Sequence, residues 1–203
     1  MPELPEVETT LRGIEPYVVK QTVKRVVIRQ PQLRWPIPDI IEKGLPHKQI
    51  DSISRRGKYL LLKFKAGYLI IHLGMSGSLR IVDSKKEPGK HDHFDLQLSS
   101  GKALRLTDPR RFGAVLWTDE SLEEHKLLSH LGPEPLTDDF NAEMLFKRSR
   151  KRSIPIKTLI MDSKVVVGVG NIYANESLFL AGIRPTRPAG KITHKQAAAL
   201  VEN

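Results

Sequence analysis

The chain contains no cysteine among its 203 residues. This absence excludes disulfide bonds and any zinc site built from thiolates. The remaining candidate metal ligands are His91 and His93, which are separated by a single residue. Two histidines with that spacing are more often ordinary polar residues than ligands. The sequence therefore predicts no metal site and no cofactor.

Long apolar runs are also absent. No uninterrupted apolar stretch approaches the roughly 18 residues that a membrane-spanning helix needs. The opening MPELPEVE is acidic, whereas the start of a secretory signal is basic. We therefore expect a cytoplasmic globular protein with no membrane partner.

Positive charge dominates what is present. The 33 Lys and Arg residues outnumber the 23 Asp and Glu residues, which gives a net charge of +10 and a pI near 9.8. Such a balance favours a polyanionic partner, with nucleic acid ahead of an anionic membrane surface. Residues 147–157 contain no acid and hold six cations, although a solvated basic face would have the same pattern. These cations are Lys147, Arg148, Arg150, Lys151, Arg152 and Lys157.

Apolar periodicity predicts a leading helix followed by a β-rich region. After Pro5, the residues Val7, Leu11, Ile14 and Val18 fall on one helical face. Eight short β-rich runs come next, and Ser99 to Lys102 suit a hairpin turn. The runs are 23–28, 50–54, 59–64, 68–73, 78–82, 94–98, 103–107 and 114–117. Strands without intervening helices predict an antiparallel β-sandwich or barrel, and the chain as a whole is predicted to have an α+β fold.

The pattern becomes helical after residue 120. Helices are predicted over 121–131, 138–149, 153–162, 171–181 and 193–203. Gly132 and Gly182 would end two of them, and Thr193 would cap the last. We therefore expect two domains, a β-sandwich over residues 1–119 and a helical domain over residues 120–203.

The second residue carries the most distinctive chemistry. Removal of Met1 would expose the Pro2 nitrogen as a secondary amine, which titrates roughly two pH units below a lysine. An iminium ion formed from such an amine keeps its charge and acts as an electron sink. This chemistry suits cleavage next to a sugar C1′, although Pro2 could instead only stiffen the terminus.

Three loops carry further candidate residues. The turn from Gly168 to Asn171 precedes a predicted helix, whose N-terminus could hold a phosphate. The segment Asp108 to Gly113 places two arginines and a phenylalanine between strands, as expected of a loop that probes a base stack. Met75 lies between glycines and could serve as a wedge or as part of the core. Lys58 follows two arginines, which would lower its pKa.

Several motifs together resemble bacterial formamidopyrimidine-DNA glycosylases. They are MPELPEVET, RRGKYLLL, IHLGMSGSLR, KHDHFDL, TDPRRFG, LGPEPL and VVGVGNIYANESLF, and they span residues 1 to about 185. The resemblance implies a repair enzyme that removes oxidised purines such as 8-oxoguanine and formamidopyrimidines from duplex DNA and nicks the abasic site by β,δ-elimination. It also implies a β-sandwich followed by a helix-two-turn-helix domain, and a monomeric enzyme. Leu4 and the set of Met75, Arg110 and Phe112 favour this branch over the related endonuclease VIII branch.

The same resemblance implies a role for individual residues. Pro2 would be the Schiff-base nucleophile, Glu3 the proton donor that opens the deoxyribose, and Lys58 the proton donor in β-elimination. Glu6 would lie near the lesion pocket. Met75, Arg110 and Phe112 would fill the gap left by the extruded nucleotide. The implied DNA contacts are His72, His91, Arg110, Lys151, Lys157, Asn171 and Tyr173.

The chain also departs from the family pattern. The family continues into further helices, a lesion-capping loop and a four-cysteine zinc finger, none of which this sequence contains. We interpret the sequence as truncated rather than as a zincless branch. Two alternatives stay open, a DNA-binding or abasic-site-binding fragment without turnover and a basic RNA-binding structural protein.

Overall fold

A computed structural model describes residues 2–203 of the chain. The predicted removal of Met1 therefore concerns a residue outside the described range. Two compact units adjoin in sequence between His125 and Lys126. The boundary expected from the sequence, after residue 119, lies slightly earlier. Within the described part of the chain, no helix is long and apolar enough to cross a membrane.

The first unit contains two helices and eight strands. Its elements are α1 (Leu4–Val18), β1 (Val23–Ile28), α2 (Asp39–Gly44), β2 (Ser52–Arg56), β3 (Tyr59–Phe64), β4 (Gly67–His72), β5 (Ser78–Asp83), β6 (Asp92–Leu98), β7 (Lys102–Thr107) and β8 (Ala114–Thr118). They form two four-stranded sheets, with strand orders β1-β6-β7-β5 and β2-β3-β4-β8. Every strand pair is antiparallel.

Both sheets contribute to one hydrophobic core. Leu60 and Leu69 from one sheet and Phe94 and Leu104 from the other are fully buried in the same cluster. The apolar face of α1 joins this cluster through residues that include Val7 and Val18. Sharing of one core by two antiparallel sheets is the arrangement of a β-sandwich, as the sequence predicts.

All eight predicted strands are present, two with the predicted ends and the others with ends displaced by at most two residues. The predicted run 50–54, for example, is the strand Ser52–Arg56. The hairpin between β6 and β7 turns at Gly101, whose φ of 83° lies in the left-handed region that glycine adopts without strain. The short helix α2 was not predicted from the sequence.

The second unit is helical around its own core. It contains α3 (Ala142–Ser149), α4 (Ile156–Ile160), α5 (Asn171–Leu180), a short 3₁₀ helix (Ala189–Lys191) and α6 (His194–Glu202). Leu145, Ile156, Leu178 and Ala197 are buried in its core. Thr193 caps α6, because its hydroxyl accepts a hydrogen bond from the Gln196 amide at 3.1 Å. Gly182 follows α5 with a φ of 66°, as predicted.

The prediction of a helix over residues 121–131 is wrong. This segment consists of turns and bends. Leu122 and Leu127 are five positions apart in the sequence, so they do not extend one helical stripe. Gly132, expected to end a helix, instead lies where an added Cβ would come within 2.7 Å of the Val165 backbone.

Candidate active site

The N-terminal end of α1 holds the first group of candidate residues. Glu3 is the N-cap residue and only 2% exposed. Its backbone N–H donates a hydrogen bond to the Glu6 carboxylate at 2.9 Å. The reciprocal bond from the Glu6 amide completes a capping box. The carboxyl group next to Pro2 is therefore held in a defined position.

Lys58 belongs to the turn between β2 and β3, where Gly57 has a φ of 54°. An ion pair ties this hairpin to α1, since Arg55 Nε lies 2.6 Å from a Glu8 carboxylate oxygen. Burial lowers the pKa of Lys58, and the nearby carboxylates of Glu3 and Glu6 partly oppose that effect. The structure thus brings Lys58 close to the acidic end of α1.

His72 ends strand β4 and is held as a neutral imidazole. Burial, with smaller contributions from the positive charges of Arg34 and Lys58, lowers its pKa to about 4. The Gly74 amide donates a hydrogen bond to His72 Nδ1 at 3.0 Å. Because Nδ1 accepts this bond, the single proton of the neutral ring resides on Nε2. His72 can therefore donate a hydrogen bond at neutral pH without carrying a charge.

A cleft of about 670 Å³ lies beside His72. Met75, Arg110 and Phe112 are all in its lining. Met75 is 41% exposed and Phe112 45% exposed, so neither belongs to the core. The Arg110 guanidinium lies 5.0 Å from the centre of the Phe112 ring. The structure brings together the three residues that the sequence analysis singled out as gap-filling.

His91 directly precedes strand β6, and His93 belongs to that strand. The Asp108 N–H donates to the His91 carbonyl at 2.9 Å, and His93 Nε2 lies 2.9 Å from the Asp108 carbonyl oxygen. His93 is buried, whereas His91 is half-buried. Between residues 2 and 203, no three His, Asp or Glu side chains form a group that could hold a metal. Without cysteine in the sequence and without such a group among the described residues, the side chains present do not fit the zinc ion that the family resemblance implies.

Sequence reasoning missed Arg34, and it named Asp108 as part of a loop without giving it a role of its own. Arg34 lines the cleft, and its N–H donates to the Gly113 carbonyl at 3.1 Å. It lies outside every predicted element, so no periodicity marked it. Asp108, the first residue of the segment from Asp108 to Gly113, is fully buried. An acid that precedes Pro109 and two arginines was the available signal for it.

The second unit carries the other predicted DNA contacts. Lys151 is exposed directly after α3 with a φ of 58°, and Lys157 is half-buried in α4. Asn171 and Tyr173 are exposed in the first turn of α5, for which Gly170 is the N-cap. Lys151, Asn171 and Tyr173 are therefore accessible to a ligand, and Lys157 is accessible in part.

Arg150 differs from its basic neighbours. Its guanidinium donates to the Ile192 carbonyl at 2.7 Å and to the Phe146 carbonyl at 3.2 Å. It also lies 4.0 Å from the centre of the Phe146 ring. This cation therefore joins α3 to the segment before α6.

Two family models match the chain. The formamidopyrimidine-DNA glycosylase N-terminal domain matches residues 1–115, and the formamidopyrimidine-DNA glycosylase H2TH (helix-two-turn-helix) domain matches residues 131–203. The chain belongs to the formamidopyrimidine-DNA glycosylase family. The motif resemblance seen in the sequence is confirmed.

Individual relatives agree with this assignment. The formamidopyrimidine-DNA glycosylase of Saccharophagus degradans is 61% identical over 196 residues, which cover 97% of this chain and 72% of that protein. The enzyme of the same name from Stutzerimonas stutzeri is 57% identical over 202 residues, which cover 100% of this chain and 74% of that protein. This chain spans about three quarters of the length of these relatives.

Solved structures of the family have the same fold. The Lactococcus lactis glycosylase, bound non-covalently to DNA containing an AP site, matches with a TM-score of 0.92 and 32% identity, covering 99% of this chain and 78% of that one. The Thermus thermophilus MutM (Fpg) protein matches with a TM-score of 0.86 and 38% identity, covering 99% of this chain and 72% of that one. The predicted α+β class and its two parts are confirmed.

Proposed function

We propose that this chain is a base-excision-repair enzyme that removes oxidised purines from duplex DNA and then cleaves the strand at the abasic site. Family membership supports the glycosylase activity. The observation that carries the lyase step is the grouping of Glu3, Glu6 and Lys58 at the start of α1, beside Pro2. A nucleophile, an acid and an ammonium group are the components that Schiff-base chemistry requires.

The proposed reaction begins with the Pro2 amine, freed by removal of Met1. Its lone pair attacks the sugar C1′ as the bond from C1′ to the base breaks, and the base leaves with the bonding electrons and takes up the proton that the Pro2 nitrogen releases. Glu3 then protonates the ring oxygen, so the ring opens and an iminium forms between C1′ and Pro2. Water takes the C2′ proton, the released electron pair forms the C2′=C3′ double bond, and the C3′–O bond breaks as Lys58 donates a proton to an oxygen of the departing 3′ phosphate. A further elimination breaks the C5′–O bond and releases the 5′ phosphate, and hydrolysis of the iminium frees the Pro2 amine.

The cleft supports recognition of duplex DNA. Extrusion of a nucleotide costs a few kcal/mol of stacking and pairing free energy, which inserted side chains offset. Met75 and Phe112 offer exposed apolar groups for the gap, and Arg110 offers hydrogen-bond donors. In this proposal His72 donates from Nε2 to a backbone phosphate, His91 adds a further contact to DNA, and Glu6 faces the lesion.

The second unit adds contacts to the DNA backbone. Lys151 and Lys157 would pair with phosphates, while Asn171 and Tyr173 would hold a phosphate at the start of α5. We propose that the protein acts as a monomer in the bacterial cytoplasm. A non-catalytic protein that binds abasic DNA is the second candidate, supported by the Lactococcus lactis relative, which was solved bound non-covalently to DNA containing an AP site.

Borohydride trapping on abasic duplex DNA tests the proposed nucleophile. The protein, with Met1 removal verified by mass spectrometry, should form a covalent complex through Pro2. A variant that carries an uncleavable residue before Pro2 has an amide nitrogen there and should not be trapped. This control is sharper than Pro2→Gly, which retains an amine.

The outcomes separate the candidate functions. Trapping followed by strand cleavage supports the lyase. Binding of abasic DNA without trapping favours the non-catalytic protein. Full trapping of the extended variant would place the nucleophile elsewhere and refute the role of Pro2. Release of 8-oxoguanine from duplex DNA tests the glycosylase step separately.

A further inference from the structure

We propose that Asp108 and Ser76 form a hydrogen-bonded bridge that makes the Met75 loop and the Arg110–Phe112 loop move and bind as one unit. Asp108 is thus a positioning residue, because it acts through other residues and does not touch the substrate. The inference rests on the proposed gap-filling function of these loops and extends it to residues for which no role has been assigned above.

The contacts of the Asp108 carboxylate carry this inference. One oxygen accepts a hydrogen bond from the Ser76 hydroxyl at 2.8 Å, and the other accepts from the Gly113 amide at 2.8 Å. The Ser76 oxygen in turn accepts from the Arg110 amide at 3.2 Å. The Arg110–Phe112 loop is therefore joined to the Asp108 carboxylate on both sides, through Ser76 at Arg110 and directly at Gly113.

Burial and close approach strengthen the bridge. The Asp108 side chain is fully buried, where hydrogen bonds to a charged acceptor are strong and their loss is costly. An added Cβ at Gly74 would lie 2.4 Å from the Phe112 carbonyl carbon, and one at Gly113 would lie 2.9 Å from an Asp108 carboxylate oxygen. The two loops thus meet backbone to backbone, without an intervening side chain.

Rigid connection predicts energetic coupling between Met75 and Phe112. If one side chain cannot be placed in the gap without the other, removal of the second costs less once the first is gone. The experiment uses the whole chain and measures Kd for duplex DNA that contains a tetrahydrofuran abasic analogue. Met75→Ala, Phe112→Ala and the double variant are compared in the wild-type and Ser76→Ala backgrounds.

In the wild-type background, the affinity of the double variant should be at least about threefold higher than the value expected from multiplying the affinity losses of the two single variants. In the Ser76→Ala background, the losses should multiply. Ser76→Thr retains a hydroxyl and should restore the coupling, and Ser78→Ala, in strand β5, should leave it intact. Asp108→Asn, which cannot accept from both donors, provides a second test should Ser76→Ala fail to fold.

Three results would overturn the inference. If the affinity losses of Met75→Ala and Phe112→Ala simply multiply in the wild-type background, the two loops act independently, although the gap-filling function would stand. Coupling that persists in Ser76→Ala and in Asp108→Asn would show that another contact joins the loops. No effect of either Met75→Ala or Phe112→Ala would refute the gap-filling function and the bridge together.

Discussion

Lys58 is the residue whose environment bears most directly on the proposed lyase chemistry. Burial lowers its pKa below the ordinary value of 10.5, which makes proton donation easier. We expect Lys58→Arg to slow strand cleavage by about 100-fold or more, because a guanidinium does not release its proton. Single-turnover cleavage of abasic duplex DNA measures this loss. Wild-type cleavage should also decline as the pH rises, and this decline should begin below pH 10.5, because the lowered pKa lets Lys58 lose its proton earlier than an ordinary lysine.

Borohydride trapping by the same variant gives the matching control. A donor that acts in β-elimination is needed only after the Schiff base exists, so Lys58→Arg should still be trapped. Lys63→Arg changes an exposed lysine on β3 and should leave both steps unaffected. Equal loss of trapping and cleavage in Lys58→Arg would contradict a role confined to elimination.

His72 is expected to make stability depend on pH. Its pKa is about 4 in the folded protein against an ordinary value of 6.5, so the unfolded chain binds a proton first as the pH falls. The contribution of this group to the free energy of unfolding is complete above pH 6.5 and declines between 6.5 and 4. Its size is up to about 3 kcal/mol. Urea unfolding at pH 7.5 and 4.5 measures it.

His72→Asn is the comparison for this measurement. Asparagine retains an oxygen that can accept the Gly74 amide bond but does not titrate. The destabilisation between pH 7.5 and 4.5 should therefore be smaller in the variant than in the wild type. An identical change in both proteins would assign the pH dependence to other groups.

At the scale of elements, the contact between the two cleft loops depends on Gly74. Its φ is 63°, and an added Cβ would overlap the Phe112 backbone. Gly101 has a φ of 83° but open space around it. A substitution there therefore measures the free-energy cost of the backbone conformation alone, without a steric clash. Gly101→Ala should lower the free energy of unfolding by about 1 kcal/mol and Gly74→Ala by about 2–4 kcal/mol.

Cleavage of abasic DNA distinguishes these two glycines further. Gly74→Ala displaces the loops that carry Met75 and Phe112, so cleavage in duplex DNA should fall more than cleavage in single strands. Gly101→Ala should reduce neither. Losses of the same size for both variants would mean that only stability, and not the loop contact, was affected.

The elements also show how far the sequence alone could lead. Strands such as Tyr59–Phe64 were predicted because burial on a sheet face imposes a local pattern of apolar residues. The segment 121–131 was predicted wrongly because its leucines, including Leu122 and Leu127 five positions apart, do not form one helical stripe. The six-residue helix α2 is too short, and too close to Pro36 and Pro38, for a pattern to emerge.

The candidate site divides in the same way. Pro2, Lys58 and Met75 could be named from the sequence because their residue types and motifs carry chemistry. The role proposed for Asp108 could not, since it depends on Ser76, which lies 32 positions away in the chain. Arg34 reaches the cleft only through folding.

At the scale of the whole molecule, the net charge of +10 predicts electrostatic binding of DNA. Affinity for duplex DNA should fall steeply as salt rises from about 50 to 200 mM. Lys151→Asn should reduce the log–log salt slope by about one, because one phosphate contact is lost. Asparagine suits the φ of 58° at this position, so charge is removed without added backbone strain.

Lys195→Asn is the matched control, since Lys195 is an exposed lysine of α6 outside the basic segment 147–157. Its slope should equal that of the wild type. An unchanged slope for Lys151→Asn as well would mean that Lys151 belongs to a solvated face. Titrations monitored by fluorescence anisotropy at four or more salt concentrations give these slopes.

Arg150 has a consequence for anyone who engineers this surface. A designer who wished to preserve the positive potential of residues 147–157 would regard arginine-to-lysine exchanges as harmless. At Arg150 such an exchange would retain the charge but lose the planar fork that spans the carbonyls of Phe146 and Ile192. Libraries that conserve charge should therefore keep Arg150 fixed and exchange arginine for lysine only at its exposed neighbours Arg148 and Arg152.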